Sequence, residues 1–216
     1  MDLLIFDLDG TLIDSKIDIV NGVNVARTGM GLEPLDVATV ASYVGNGAPI
    51  LMRRAMGTGA SEEAIAESLR RFLEFYHANP LAHTTLYPGV REALDEMYHA
   101  GKLMAVLTNK PEAISRLIVN GLGLEKYFFR VYGGDSLPEK KPHPMAIEKL
   151  MEESGVGKGG TVMVGDSAVD VKTARNAGVM ACGVSYGFQP ETLQVEPPDL
   201  LVDDLRELAA KAIPER

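Results

Sequence analysis

The stretch Leu3-Leu4-Ile5-Phe6-Asp7-Leu8-Asp9-Gly10-Thr11, followed by Leu12-Ile13-Asp14-Ser15, decides how this chain is read. Leu3 to Leu8 is a short, largely apolar run without polar alternation, the pattern of a strand in a sheet buried on both faces. Asp7 and Asp9 then emerge where the strand ends and the chain turns at Gly10. Both carboxylates face one site only if the strand bends there.

Working outward, similar runs recur at Lys102 to Leu107, Thr161 to Val164, Val179 to Val184 and Asp199 to Val202. Helical patterns separate them. Val90, Leu94, Met97 and Tyr98 follow Pro88, Ile114, Leu117 and Ile118 follow Pro111, and Ile147, Leu150 and Met151 follow Pro144. Each pattern opens near a proline and closes near a glycine, at Gly101, Gly121 and Gly155. Strands alternating with helices of this length predict an α/β fold with a doubly wound parallel sheet, whose ligands bind beyond the carboxyl ends of the strands.

The segment from Ser15 to His83 breaks the alternation, since it holds helical patterns and no convincing strand. Its longest helix has Ile65, Leu69, Phe72, Leu73 and Tyr76 on one face, and Glu62 and Glu63 in the first turn suit the helix dipole. We therefore expect a core made of residues 1–14 and 84–216, with residues 15–83 as a helical insertion.

At 216 residues the chain has room for one domain carrying an insertion, against a prior of roughly 150 residues per domain. A formal charge of -9 and a pI near 5.0 disfavour nucleic acid and anionic membranes as partners. A small anionic substrate stays compatible if a metal ion or local bases reverse the field at one site. The single Cys182 has no intrachain disulfide partner and reads as a small buried residue. Acids at Asp2, Asp7 and Asp9 do not suit a signal peptide, and no run approaches eighteen apolar residues, so a cytoplasmic protein is expected. The four histidines lack metal-ligand spacing, and the oligomeric state, monomer or dimer, is left open.

Chemistry-bearing residues gather at the predicted strand ends. Thr108-Asn109-Lys110 follows the second core strand and offers a hydroxyl, an amide and backbone N–H groups just before a helix, an arrangement suited to an anion. Asp166, after the third, is followed by Asp170 one helical turn on, and the acids suit a cation. Lys140-Lys141-Pro142-His143-Pro144 places a basic group on a loop stiffened by prolines.

Taken in order and spacing, DLDGTLIDS at 7–15, LTNK at 107–110, KKPHP at 140–144 and VGDSAVD at 164–170 resemble the four motifs of the haloacid dehalogenase (HAD) superfamily of phosphatases. YVGNGAPILMRRAM at 43–56, GGDSLPEKKPHP at 133–144 and SYGF at 185–188 make the chain similar to the phosphoglycolate phosphatase group within it. The departure is Ala146, where a second proline often follows in that group.

The resemblance implies a HAD-like core with a helical cap, and a phosphoric monoester hydrolase acting on a small phosphorylated metabolite. It implies Asp7 as the nucleophile that becomes aspartyl phosphate, and Asp9 as the group that protonates the leaving oxygen and then activates water. Mg²⁺ would be held by Asp7, Asp9 through its backbone carbonyl, and Asp166. Thr108 and Asn109 would position the phosphoryl oxygens, Lys141 would neutralise them, and Asp170 would orient Lys141 or a metal-bound water. A carboxylate approaching a phosphate dianion faces roughly 4 kcal/mol of repulsion per charge pair at 4 Å and an effective dielectric of 20, so the site must neutralise charge first.

For the substrate, 2-phosphoglycolate leads, with Asn46, the amides flanking Gly47 and Arg54 expected to meet its carboxylate. A pyrophosphatase, another sugar or nucleotide phosphatase, or a phosphosugar mutase of the same superfamily are the alternatives. A dehalogenase has no need of Asp9. A phosphoacceptor signalling domain, the reading from another class, has no need of a lid.

Overall fold

The computed structural model describes residues 1–213, so the last three residues of the expected core lie outside the described ones. Strand β1 (Leu3–Phe6) sits at the centre of a six-stranded sheet with β4 (Leu103–Leu107), β5 (Arg130–Tyr132), β6 (Thr161–Gly165), β7 (Met180–Val184) and β8 (Leu200–Val202). The order is β5-β4-β1-β6-β7-β8, and every pairing is parallel. The expected doubly wound sheet is therefore present.

Burial on both faces explains the unbroken apolar runs. Leu4, Phe6, Val106 and Val164 pack on one side with α5 (Val90–His99), α6 (Glu112–Gly121) and α9 (Leu205–Ala212). Leu3, Ile5, Ala105 and Met163 pack on the other with α7 (Met145–Ser154) and α8 (Ala168–Ala177). Cys182 is buried in β7, as expected of a small core residue.

Two details differ from the sequence reading. The first strand ends at Phe6 and not at Leu8, because the chain bends after Asp7. The edge strand β5 was not anticipated, since three residues with only Val131 buried carry too little apolar signal.

Between β1 and α5 the chain forms α1 (Lys16–Thr28), α2 (Val37–Tyr43), α3 (Ala48–Met56) and α4 (Glu62–Ala78). Ser61 caps α4 by accepting the Ala64 N–H at 3.2 Å, and Ile65, Phe72 and Tyr76 form its buried stripe. The helical unit leaves and rejoins the sheet through a narrow neck. There β2 (Ile13–Asp14) pairs antiparallel with β3 (Thr85–Leu86), a short ribbon with no clear sequence signal. Beside it the buried Asp18 of α1 accepts hydrogen bonds from His83 N at 2.9 Å and from both the amide and hydroxyl of Thr84 at 2.8 and 2.7 Å. No helix among the described residues is long and apolar enough to cross a membrane.

Candidate active site

Adjacent strands β4, β1 and β6 end level with one another, since Phe6 is in register with both Val106 and Val164. Parallel pairing thus carries Asp7, Thr108 and Asp166 to the same rim of the sheet. The turn after β1 requires Gly10, whose φ is +81°. A Cβ there would also lie 2.3 Å from an Asp166 carboxylate oxygen, so a side chain is excluded twice over.

Lys141 joins the group from the loop before α7. Its Nζ lies 2.9 Å from Asp7 Oδ1 and 2.7 Å from Asp170 Oδ1, and all three side chains are buried. Asp170 also begins α8 as half of a capping box, its Oδ2 accepting from the Ser167 amide at 3.2 Å and hydroxyl at 2.7 Å. Both of its oxygens are therefore engaged by protein. Asp166 accepts the Phe188 N–H at 2.6 Å and the Gln189 N–H at 3.3 Å, both on Oδ2.

Carboxylate oxygens of Asp7, Asp166 and Asp170 lie within 4.8 Å of one another. Set against three carboxylates, the single ammonium of Lys141 leaves two negative charges. The strain appears in the acidities. Burial, then Asp170 and Asp7, push the Asp166 carboxyl up to about 8. Burial likewise raises Asp7 to about 6, with Lys141 opposing and Asp170 adding. For Lys141 itself burial favours the neutral amine, but Asp170 and Asp7 outweigh it and hold the ammonium above its ordinary value. A buried, all-oxygen, electron-rich set of this kind fits a hard divalent cation.

Asp9 faces the same rim but answers to other partners. Ser15 donates its hydroxyl to Asp9 Oδ1 at 2.5 Å, and Lys110 Nζ lies 2.9 and 2.8 Å from the two carboxylate oxygens. The same ammonium donates to the hydroxyl of Tyr76, on α4, at 2.8 Å.

A partly open cleft leads down to Asp7 and Asp9, with Thr108, Asn109 and Lys110 on the sheet side. Its opposite wall comes from the helical unit and includes Gly45, Gly47, Leu51, Phe72 and Tyr76. The loop between α2 and α3 is gripped from the core at successive backbone carbonyls. Gln189 donates to Ser42 and Val44 O at 3.0 Å, Asn109 to Gly45 O at 2.9 Å, and Lys140 to Asn46 O at 2.9 Å. Gly47, at φ +85°, caps α3 where a Cβ would meet the Asn109 carbonyl at 3.0 Å.

Asp7, Asp9, Thr108, Lys141, Asp166 and Asp170 are thus brought together as the motifs led us to expect. Asn109 is present too, but its amide N–H groups are taken by Gly45 O and, at 3.1 Å, by Lys141 O, so it braces the loops around the site. The expected substrate contacts on the insertion divide. Gly47 lines the cleft, whereas Asn46 is not among its lining residues, and Arg54 is exposed on α3, donating to the Tyr43 carbonyl at 3.1 Å. Sequence reasoning missed Ser15, Tyr76, the pairing of Lys110 with Asp9, and Gln189. The Tyr76 position on the apolar stripe of α4 was visible, but its hydroxyl partner was not.

Residues 4–184 match the family model of haloacid dehalogenase-like hydrolases. The chain belongs to that family. As a HAD-like hydrolase it is 40% identical over 212 residues to a phosphoglycolate phosphatase of Pseudomonas fluorescens (strain Pf0-1), covering 95% of this chain and 78% of that protein. A phosphoglycolate phosphatase of Vibrio parahaemolyticus serotype O3:K6 is 39% identical, over 95% of this chain and 93% of its own. Among solved structures, a predicted phosphoglycolate phosphatase from Haemophilus somnus 129pt superimposes with a TM-score of 0.92 at 32% identity, over 98% of this chain and 97% of the other. This HAD-like hydrolase is a phosphatase acting on phosphoric monoesters.

Proposed function

We propose that the protein is a Mg²⁺-dependent phosphatase that hydrolyses 2-phosphoglycolate to glycolate and phosphate through an aspartyl phosphate on Asp7, with residues 15–83 as its cap. The observation that carries this reading is the buried Asp7 carboxylate, paired with Lys141 and flanked by Asp166 at the level ends of three parallel strands. Names of the relatives support the substrate.

Asp7 Oδ1 accepts the Leu8 N–H at 2.7 Å and meets Lys141, which leaves Oδ2 to attack phosphorus. The new bond is Asp7 Oδ2 to phosphorus and the bond broken is phosphorus to the ester oxygen. Asp9 relays to that departing oxygen a proton taken up as the substrate draws Lys110 from one of its oxygens, then takes one from the water that cleaves the acyl phosphate. Lys141 and the Thr108 hydroxyl position and neutralise the phosphoryl oxygens, while Asn109 holds the Gly45 loop and Lys141 around them. Asp170 orients Lys141. Asp7, Asp166 and the backbone carbonyl of Asp9 would hold Mg²⁺, which supplies the positive charge that lets an anionic nucleophile approach an anionic ester.

A phosphate-release screen over a panel of phosphorylated metabolites with Mg²⁺ tests the reading. The expected result is preference for 2-phosphoglycolate, with a base-labile phosphoryl group trapped on Asp7 after acid quenching. Higher kcat/KM for a sugar phosphate or for pyrophosphate overturns the substrate, and the absence of phosphoryl-enzyme under single-turnover conditions overturns the mechanism.

A further inference from the structure

The cleft wall contributed by the helical unit is apolar apart from backbone and one hydroxyl. Ile19, Leu51 and Phe72 face Ile114 across it, and Tyr76 supplies the hydroxyl. Among the described residues, Lys110 is the one cation that lines this cleft. Neighbouring bases are committed elsewhere, Lys140 to the Asn46 carbonyl and Arg54 to that of Tyr43.

We propose that Lys110, backed by the Tyr76 hydroxyl, is the specificity-determining cation of the site and binds a carboxylate carried on the leaving group of the substrate. The proposal rests on the phosphatase reading above. A carboxylate enclosed by Ile19, Leu51 and Phe72 is costly unless a donor meets it, and a lysine is buried at such a place only when it is paired. Lys110 is 8% exposed, sits 4.4 Å over the Tyr76 ring, and is held by both oxygens of Asp9. An entering carboxylate replaces one Asp9 oxygen on the ammonium, and the other contacts stay.

Ethyl phosphate shares the two-carbon skeleton and alkoxide leaving group of 2-phosphoglycolate but lacks the carboxylate, so the ratio of their kcat/KM values reads the Lys110 contact separately from Asp9. In Lys110→Met that ratio should fall about 10- to 100-fold, the range of a charge-assisted hydrogen bond. Tyr76→Phe keeps the ring stacked on Phe72 and should lower the ratio a few-fold. Equal losses on both substrates in Lys110→Met overturn the proposal, because Lys110 would then act only through Asp9. Should that variant not fold, Tyr76→Phe decides, and an unchanged ratio there overturns the proposal. Hydrolysis of ethyl phosphate with no preference for any acid defeats the proposal and leaves the phosphatase standing. Hydrolysis of no ester defeats both.

Discussion

Replacing Asp7 by Asn is expected to abolish turnover and, without divalent cation at alkaline pH, to make the protein more stable. Burial, opposed by Lys141 and reinforced by Asp170, lifts the Asp7 carboxyl from 3.8 to about 6. A carboxyl raised in the folded state costs nothing below its unfolded value, costs progressively more as the pH rises toward 6, and levels off above it. At about 1.36 kcal/mol per decade the plateau is about 3 kcal/mol, with about half of that present at pH 5. Asparagine does not ionise and escapes the cost. For 216 residues, at about 2.1 cal/mol/K each, this corresponds to a Tm rise of several degrees at pH 8. The assay is a pair of thermal or urea unfolding curves in EDTA at pH 8 and pH 5, run beside phosphate release in Mg²⁺. A variant less stable than wild type at pH 8 would refute the reasoning, because attraction to Lys141 would then exceed the cost of burying the charge. Turnover near the wild-type rate would remove Asp7 as nucleophile.

Mg²⁺ should raise Tm more at pH 8 than at pH 6, because the Asp166 carboxyl, raised to about 8 by burial and then by Asp170 and Asp7, must lose its proton before it ligates. Scanning fluorimetry over a Mg²⁺ titration checks this, and equal shifts at the two pH values would count against Asp166 as a ligand. Chelation should stop phosphate release, and added Mg²⁺ should restore it. Asp18→Asn should destabilise by about 1.5–3 kcal/mol, because hydrogen bonds from charged to neutral acceptor are weakened at the neck. Burial acts to raise the Asp18 carboxyl, but bonds from His83 and Thr84 hold it below its ordinary value, so the wild type loses this stability as the pH falls through that lowered value. Urea midpoints at pH 7 that match for the two proteins would contradict it.

Much of the site was legible because parallel α/β folds convert local order into spatial convergence. Once β1, β4 and β6 are recognised as strands, their carboxyl ends must lie on one rim, and Asp7, Thr108 and Asp166 follow. The capping role of Asp170 is equally local, set by its spacing of three from Ser167, but the sequence reading takes the residue only as a partner for a cation or for Lys141. The short edge strand β5 was not legible, since an edge of three residues carries too little burial to leave a pattern.

The sequence by itself determined which groups are available for phosphoryl chemistry, because strand-end position depends on neighbours a few residues away. Only the tertiary structure decided which cations serve the cleft. Lys110 turned inward to Asp9, 101 positions distant, and to Tyr76, 34 positions distant, while Arg54 turned out to the Tyr43 carbonyl. The buried Lys110 ammonium takes partners that compensate its desolvation, and Asp9 and Tyr76 meet around it only after the helical unit has packed against the sheet, whereas the exposed Arg54 finds its carbonyl within the helical unit.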